Sequence, residues 1–188
     1  MNKNRKIIAS INITLDGYCD HTAVDPDEEV HDHYTDLLKS AGLVLYGRHT
    51  FELMKYWKDI MDSPSDSPSM NEFAKVMDEV PKLVFSNTLQ STDWDSAKLS
   101  TKGLHETVLE LKQTKGADVY VGSPGLINTL TQSGLIGEYQ ICVHPVIAGS
   151  GKQLFTELSS SVPLILKKVK TFKSGAVVLY YHLNSQPG

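Results

Sequence analysis

Cysteine is almost missing from the chain: Cys19 and Cys142 stand alone among 188 residues, with no Cys-x-x-Cys and no companion cluster of histidines. Two isolated thiols exclude a disulfide-stapled scaffold and a cysteine-based zinc site, and they fit a reducing compartment. Long apolar runs are also lacking. The basic start, Met1-Asn-Lys-Asn-Arg-Lys6, leads into Ile7 to Leu15, where Ser10, Asn12 and Thr14 make the stretch too polar for a secretory signal core. Nothing downstream approaches the ~20 apolar residues of a bilayer-spanning helix, so a cytoplasmic protein is expected. An excess of positive charge is lacking too, since 18 Lys and Arg face 22 Asp and Glu for a net charge of −4. The one local row, Lys167, Lys168, Lys170 and Lys173, reads as the wet side of a strand, so neither a nucleic-acid nor a membrane partner is expected.

Several signatures of chemistry are missing as well. No Gly-x-Gly-x-x-Gly follows a strand pattern, and Gly149-Ser-Gly151-Lys152 runs into Gln153 where a P-loop needs Ser or Thr. No Gly-x-Ser-x-Gly elbow supports a serine hydrolase. His31-Asp32-His33 with Asp36 places its histidines at i and i+2, which diverge on a helix, so no metal site is expected.

What is present is an ordinary globular balance, 40% apolar and 21% charged residues, with no repeat and no dividing linker, so residues 1–188 are expected to form a single domain. Ile7, Ala9, Ile11, Ile13 and Leu15 alternate along one strand face, with Ser10, Asn12 and Thr14 on the other. Val30, Tyr34, Leu37, Leu38 and Ala41 recur at helical spacing before Gly42, read as the helix stop. Leu43–Tyr46 suits a buried strand. Phe51, Met54, Trp57 and Met61 mark a second helix, ended by an exposed loop from Ser63 to Pro68. Strands at Leu83–Phe85, Val119–Val121 and Tyr139–Val143 alternate with helices carrying Leu104, Val108 and Leu111, then Ile127 and Leu130. Leu164–Phe172 and Ala176–Leu183 form a hairpin turning at Lys173-Ser174-Gly175. The fold class is therefore α/β, three-layered, with a mainly parallel twisted sheet and an antiparallel C-terminal hairpin.

In such sheets ligands settle at the carboxyl ends of strands, where helix N-termini present free N–H groups. Three strand ends are equipped for this. Gly47-Arg48-His49-Thr50 offers close backbone approach, a planar charged fork and a hydroxyl, or else only a tight strand-to-helix turn. Ser86-Asn87-Thr88 could hold a sugar phosphate, although these residues are equally good turn formers. Gly122-Ser123-Pro124-Gly125 has the small residues and the N-cap of a pyrophosphate loop.

Taken in order, these segments resemble a known family. Ser10-Ile-Asn-Ile-Thr-Leu-Asp16-Gly17-Tyr18 is similar to the opening of the riboflavin-biosynthesis reductase domain, the RibD C-terminal domain. Gly47-Arg48-His49-Thr50-Phe51-Glu52 is similar to a segment of dihydrofolate reductases. Lys82 to Leu89 with Trp94, Gly122 to Gly125 through Tyr139, His144-Pro145 to Gly151 with Leu154-Phe155, and Phe172 to Gly175 continue the resemblance over nearly the whole chain. It implies a dihydrofolate reductase-like fold, a mostly parallel eight-stranded sheet ending in an antiparallel strand. It also implies an oxidoreductase that uses NADPH to deliver hydride to a small heterocycle. Ribosylaminopyrimidines, as in 5-amino-6-(5-phosphoribosylamino)uracil reduction in riboflavin biosynthesis, or pterins are the implied acceptors. Family members often pair, so a homodimer stays open.

Carried over by the resemblance, Gly47, Arg48 and Thr50 would hold the adenine-side phosphates. Ser86 and Asn87 would flank the 2′-phosphoribose, Gly122, Ser123, Gly125 and Leu126 would meet the pyrophosphate, and Ala9 would lie near the nicotinamide. The position of the folate enzymes' first-helix acid falls on or near His31, beside Asp32, and their Met-Pro-Trp loop is missing, whereas Asp16-Gly17 follows the riboflavin type. Asp16 is accordingly the first candidate for orienting substrate, with Gly17 beside it, and His31 the second, for proton supply. Two other functions fit the same pattern: reduction of an unrelated small molecule, and a non-catalytic nucleotide-binding or interaction protein that keeps the fold.

Overall fold

The computed structural model describes residues 3–156 and 158–184. Along the chain run β1 (Ile7–Thr14), α1 (Glu28–Ser40), β2 (Leu43–Gly47), α2 (Arg48–Met54), α3 (Tyr56–Asp62), α4 (Pro68–Glu79) and β3 (Lys82–Phe85). There follow β4 (Ala97–Leu99), α5 (Leu104–Gln113), β5 (Val119–Val121), α6 (Pro124–Gln132), β6 (Glu138–His144), β7 (Leu164–Thr171) and β8 (Val177–Leu183). The strands build one eight-stranded sheet in the order β4-β3-β2-β5-β1-β6-β8-β7. Every pair from β4 to β6 is parallel, and β8 and β7 close the sheet antiparallel, as the alternation and the final hairpin lead one to expect.

The period-2 pattern of β1 sorts the core into two layers. Ile7, Ala9 and Ile11 join Leu45, Val121, Val108 of α5 and Ile127 and Leu130 of α6 on one face. On the other, Ile8 lies with Val44, Tyr46 and Val84 beneath α1, α2 and α4. A third cluster, Val30, Cys142, Phe172, Ala176 and Val178, carries α1's cover out to β8.

Helix boundaries follow local chemistry. Asp27 caps α1 by accepting from Val30 N, with Glu28 and Glu29 in the first turn and Lys39 in the last, each favourable to the helix dipole. Gly42 is not the left-handed stop read from sequence. Ala41 ends the helix in an extended conformation, and Gly42 is small because a Cβ there would lie 2.7 Å from the Ala117 carbonyl oxygen. The second helix is two short ones, α2 and α3, meeting at Lys55. The loop that begins at Ser63 stops at Ser67, whose hydroxyl caps α4 with Pro68 in its first turn. That helix, absent from the sequence reading, buries Phe73, Ala74, Val76 and Met77. Strand β4, three residues at the sheet edge, is likewise new.

Chain crossovers position the ligand crevice. From β2 the chain departs through α2, α3 and α4 toward β3, on one side of the sheet. From neighbouring β5 it departs through α6 toward β6, on the other side and in the opposite direction. Ligands in open α/β sheets bind at the carboxyl ends of strands where such departures diverge. The loops there are Gly47-Arg48 and Gly122-Ser123.

Candidate functional site

Those two loops are tied together. Gly47 N donates to Ser123 Oγ at 2.9 Å, and Ser123 is almost wholly buried. This revises the role read for Ser123. It stands at the N-cap position of α6, but its hydroxyl makes no capping bond and is spent holding the β2–α2 turn. The first amides of α6 therefore stay free, which suits an anion. Gly125 in that first turn is exposed, and a Cβ on it would sit 3.8 Å from Lys152 Nζ. The Lys152 ammonium thus overhangs the start of α6, a placement that Gly149-Ser-Gly151-Lys152 gave no means of reading. Gly122 is packed against the protein itself, since a Cβ there would come within 3.1 Å of the Tyr46 ring. Leu126 lies beside Gly47, half-buried.

Arg48 opens α2 with its guanidinium half exposed and only a loose 3.5 Å contact to Glu52. It borders a cleft of about 410 Å³ together with Phe85, Ser86, Asn87, Thr88, Ser100, Lys102, Gly103 and Leu104. The sequence reading thus brought Arg48, Ser86 and Asn87 to one place and missed the far wall. Ser100 to Leu104 follows β4, too short to show alternation. Lys102 is held by Glu106 at 3.2 Å and by Glu110, which raise its pKa, and it stays charged throughout the neutral range. Ser86 is partly committed, because its hydroxyl accepts from Thr88 N and Leu89 N and shapes the turn. Asn87 is exposed on that turn, and Thr50 is half-buried on α2.

Ala9 lies in the middle of β1, between β5 and β6. Its side chain is fully enclosed in the apolar layer, so it is a core residue and offers a ligand no side-chain surface.

Asp16 behaves differently from a free catalytic carboxylate. Thr14 Oγ1 donates to its Oδ1 at 2.6 Å, and the amides of Ala148 and Gly149 donate to Oδ1 and Oδ2 at 3.1 and 2.8 Å. These bonds, the Thr14 hydroxyl foremost, hold its carboxyl down to about 2. The group is ionised at neutral pH, so it accepts hydrogen bonds from its neighbours and has no proton to supply. It staples the β1–α1 loop to the segment after β6. Gly17 continues the staple: its carbonyl accepts from Leu154 N, and its φ of +87° is the left-handed region that favours glycine.

His31 lies in the second turn of α1, with Nδ1 3.1 Å from the Asp27 carbonyl oxygen and its ring edge-on to Trp57 and Phe73. His33 points elsewhere, against Tyr34 and Phe172, as the i, i+2 spacing requires. No hydrogen bond among the described residues joins His31 to Asp16.

A polar group that the sequence reading left unassigned fills the α1 side of β1. Asn12 Oδ1 accepts from Tyr34 OH at 3.1 Å and from His144 Nε2 at 2.9 Å, while Cys142 Sγ lies 3.7 Å from the same nitrogen. Burial pushes the Cys142 thiol up to about 12, keeps the Tyr34 phenol protonated and lowers the pKa of His144. The signal was available, since Asn12 and His144 are polar positions on strands whose neighbours are apolar.

A parallel sheet of this order, with an antiparallel end and anion-ready loops at its point of diverging crossovers, defines a dihydrofolate reductase-like α/β protein. Residues 5–178 match the model of the RibD C-terminal domain, and the chain belongs to that family. Protein YyaP of Bacillus subtilis is 33% identical over 190 residues, covering 97% of each chain. A putative riboflavin biosynthesis protein from Shewanella sp. PV-4 superposes with a TM-score of 0.69 at 22% identity, over 95% of this chain and 99% of that one. Dihydrofolate reductase from Enterococcus faecalis, solved with NADP(H), has the same fold, with a TM-score of 0.62 at 14% identity over 98% of this chain and 100% of its own.

Proposed function

We propose that the protein is a cytoplasmic NADPH-dependent reductase of a small heterocycle, with a ribosylaminopyrimidine or a pterin as acceptor. The observation that carries this is the pair of loops at the diverging crossovers, tied by Gly47 and Ser123, with Arg48 of the first loop bordering a cleft whose far wall carries Lys102. The donor set fits a dinucleotide phosphate. Free amides at the start of α6, with Lys152 above them, would take the pyrophosphate, and Arg48 with Asn87 would take the phosphorylated ribose. The contacts that Arg48 and Lys102 make with glutamates are solvent-exposed and weak, so a phosphate can replace them. When bound, NADPH supplies the hydride.

The chain's own part is to bind and orient. Asp16, ionised and already taking three internal bonds, keeps the β1–α1 loop closed on the segment after β6, and its Oδ2 has capacity to accept from a substrate hydroxyl or amino group. Asn12, Tyr34 and His144 form a neutral floor beneath that loop. His31 stands in the second turn of α1, with its Nδ1 at the Asp27 carbonyl oxygen and its ring edge-on to Trp57 and Phe73.

Absorbance of NADPH, followed with a panel of acceptors, tests the reading. Turnover is expected with a ribosylaminopyrimidine or an oxidised pterin and little with dihydrofolate, with Asp16→Asn slower on the same acceptor. Strong dihydrofolate turnover overturns the substrate class, and an Asp16→Asn variant as fast as the parent removes Asp16 from substrate orientation. Tight NADPH binding without turnover on any acceptor favours the non-catalytic alternative.

A further inference from the structure

Strand β1 loses one of its two neighbours halfway along. Its pairing with β5 covers only Ile7 to Ala9, whereas its pairing with β6 continues from Ile8 to Thr14. From Ser10 onward the β5 side of the strand faces the crevice, beside the Gly122 loop, where a Cβ on Gly122 would lie 3.9 Å from the Ser10 carbonyl oxygen. Asn12 stands two residues further out on the α1 face, half-buried between the buried Ser10 and Thr14.

The groups that hold its oxygen set the direction of its amide. Oδ1 accepts from Tyr34 OH on α1 and from His144 Nε2 on β6. Burial keeps the phenol protonated, and an amide oxygen only accepts, so the imidazole carries its hydrogen on Nε2. A carboxamide is planar. An oxygen turned toward α1 and β6 therefore leaves Nδ2 turned toward the β5 side, where the strand is unpaired. Among the described residues Nδ2 donates to no protein acceptor, and it is not one of the atoms sealed from solvent. A donor that is fixed in direction and free of internal bonds gains most from an acceptor brought by a ligand.

We propose that Asn12 reads the acceptor ring, its Nδ2 donating to a ring carbonyl oxygen, and that Tyr34 and His144 are positioning residues that keep the amide from turning round. The inference rests on the reductase reading and narrows its substrate to heterocycles with a lactam or imide carbonyl on the edge that meets β1. Asp16 complements Asn12, because an ionised carboxylate only accepts whereas Nδ2 only donates. A ring that carries both a carbonyl and an amino group answers both. Loss of either holder leaves Oδ1 with one bond and lets the amide turn, which lowers discrimination between rings while the sheet stays intact.

Calorimetric titration of the full chain saturated with NADP⁺, in mildly alkaline buffer, tests this with two rings. One is 5,6-diaminouracil, which has carbonyls, and the other is 2,4,5,6-tetraaminopyrimidine, in which amino groups replace them. The parent is expected to bind the carbonyl ring about tenfold more tightly, the worth of about one hydrogen bond to a fixed donor. Asn12→Ala should remove most of that preference. Asn12→Asp keeps the size of the side chain and its two internal bonds but turns an acceptor toward the ring, and should reverse the preference. An asparagine with a structural role alone would weaken both rings in step. Tyr34→Phe, with Asn12 intact, should reduce the preference about threefold and serves if the Asn12 variants misfold. A parent that takes both rings alike, or prefers the tetraamino ring, overturns the proposal and leaves the reductase reading standing. An Asn12→Asp variant that keeps the parental ranking does the same. A parent that binds NADP⁺ but neither ring overturns the proposal together with the substrate class on which it rests.

Discussion

The two halves of the sheet's carboxyl edge are furnished in opposite ways. Around β2, β3 and β5 the polar groups point outward: Arg48 and Asn87 face a cleft, and the first amides of α6 have no side-chain cap. Around β1 and β6 the polar groups bond to each other, with Asn12 taken by Tyr34 and His144 and Asp16 by Thr14 and two amides. The first half has binding capacity that folding leaves unused. The second has used its capacity to fix a shape, and can still orient a ligand where it keeps a spare acceptor.

This contrast predicts a graded response to substitution. Gly125→Asp puts an anion into the first turn of α6 and should weaken NADPH and NADH alike, by about 3 kcal/mol or a hundredfold, in a fluorescence titration. Unchanged binding of both would move the pyrophosphate away from that helix. Arg48→Ala should cost NADPH about 1.5 kcal/mol, roughly tenfold, and NADH less, because a charge-assisted bond to the extra phosphate is lost. Tighter NADH than NADPH binding by the parent would break this assignment.

On the self-bonded half the effect should fall on stability. The carboxyl of Asp16 sits at about 2, below the 3.8 of an unperturbed aspartate, so its contribution is present above the unfolded value and lost as pH falls through the folded one. Melting temperature should therefore drop for the parent between about pH 4 and pH 2, and the drop should be shallower in Asp16→Asn. Equal slopes would show that the staple bonds do not matter to folding.

The smallest effect belongs to Lys82, at the amino end of β3 and away from both halves. Burial lowers its amine to about 8, although the carbonyl of Val80, the hydroxyl of Ser96 and the Trp94 ring all receive it. The folded state binds fewer protons than the unfolded one between about pH 8 and 10.5, so stability should rise slightly with pH there. Lys82→Met should flatten that rise without altering NADPH affinity, and a change in affinity would contradict the separation of the two ends of the sheet.

How much was legible in the sequence varied with the length over which a pattern could repeat. Strand β1 shows four full alternations, and Gly175 fixes the β7–β8 turn, so both were readable. Strand β4, at three residues, has no period to detect. Helix α4 was hidden by Ser67-Pro68, which can be the start of a helix or the end of a loop, and only burial of Phe73 and Met77 decides which. The break at Lys55 leaves the apolar spacing across α2 and α3 nearly continuous. In the site, residue types located the loops, but not which atoms were already spoken for. Ser123 and Asp16 look like ligand contacts until the Gly47 amide and the Ala148 and Gly149 amides are seen to claim them.

The single bond from Gly47 N to Ser123 Oγ has a consequence for the timing of order. Two loops from different strands, 76 positions apart in sequence, are set at a fixed separation before any ligand arrives. A dinucleotide that bridges them then loses its own freedom but need not also immobilise the loops, a saving of about 0.5–1.5 kcal/mol for each side chain already at rest. The hydroxyl of Ser123 works as a spacer bar, and a serine buried between the two loops can govern affinity without touching what binds there.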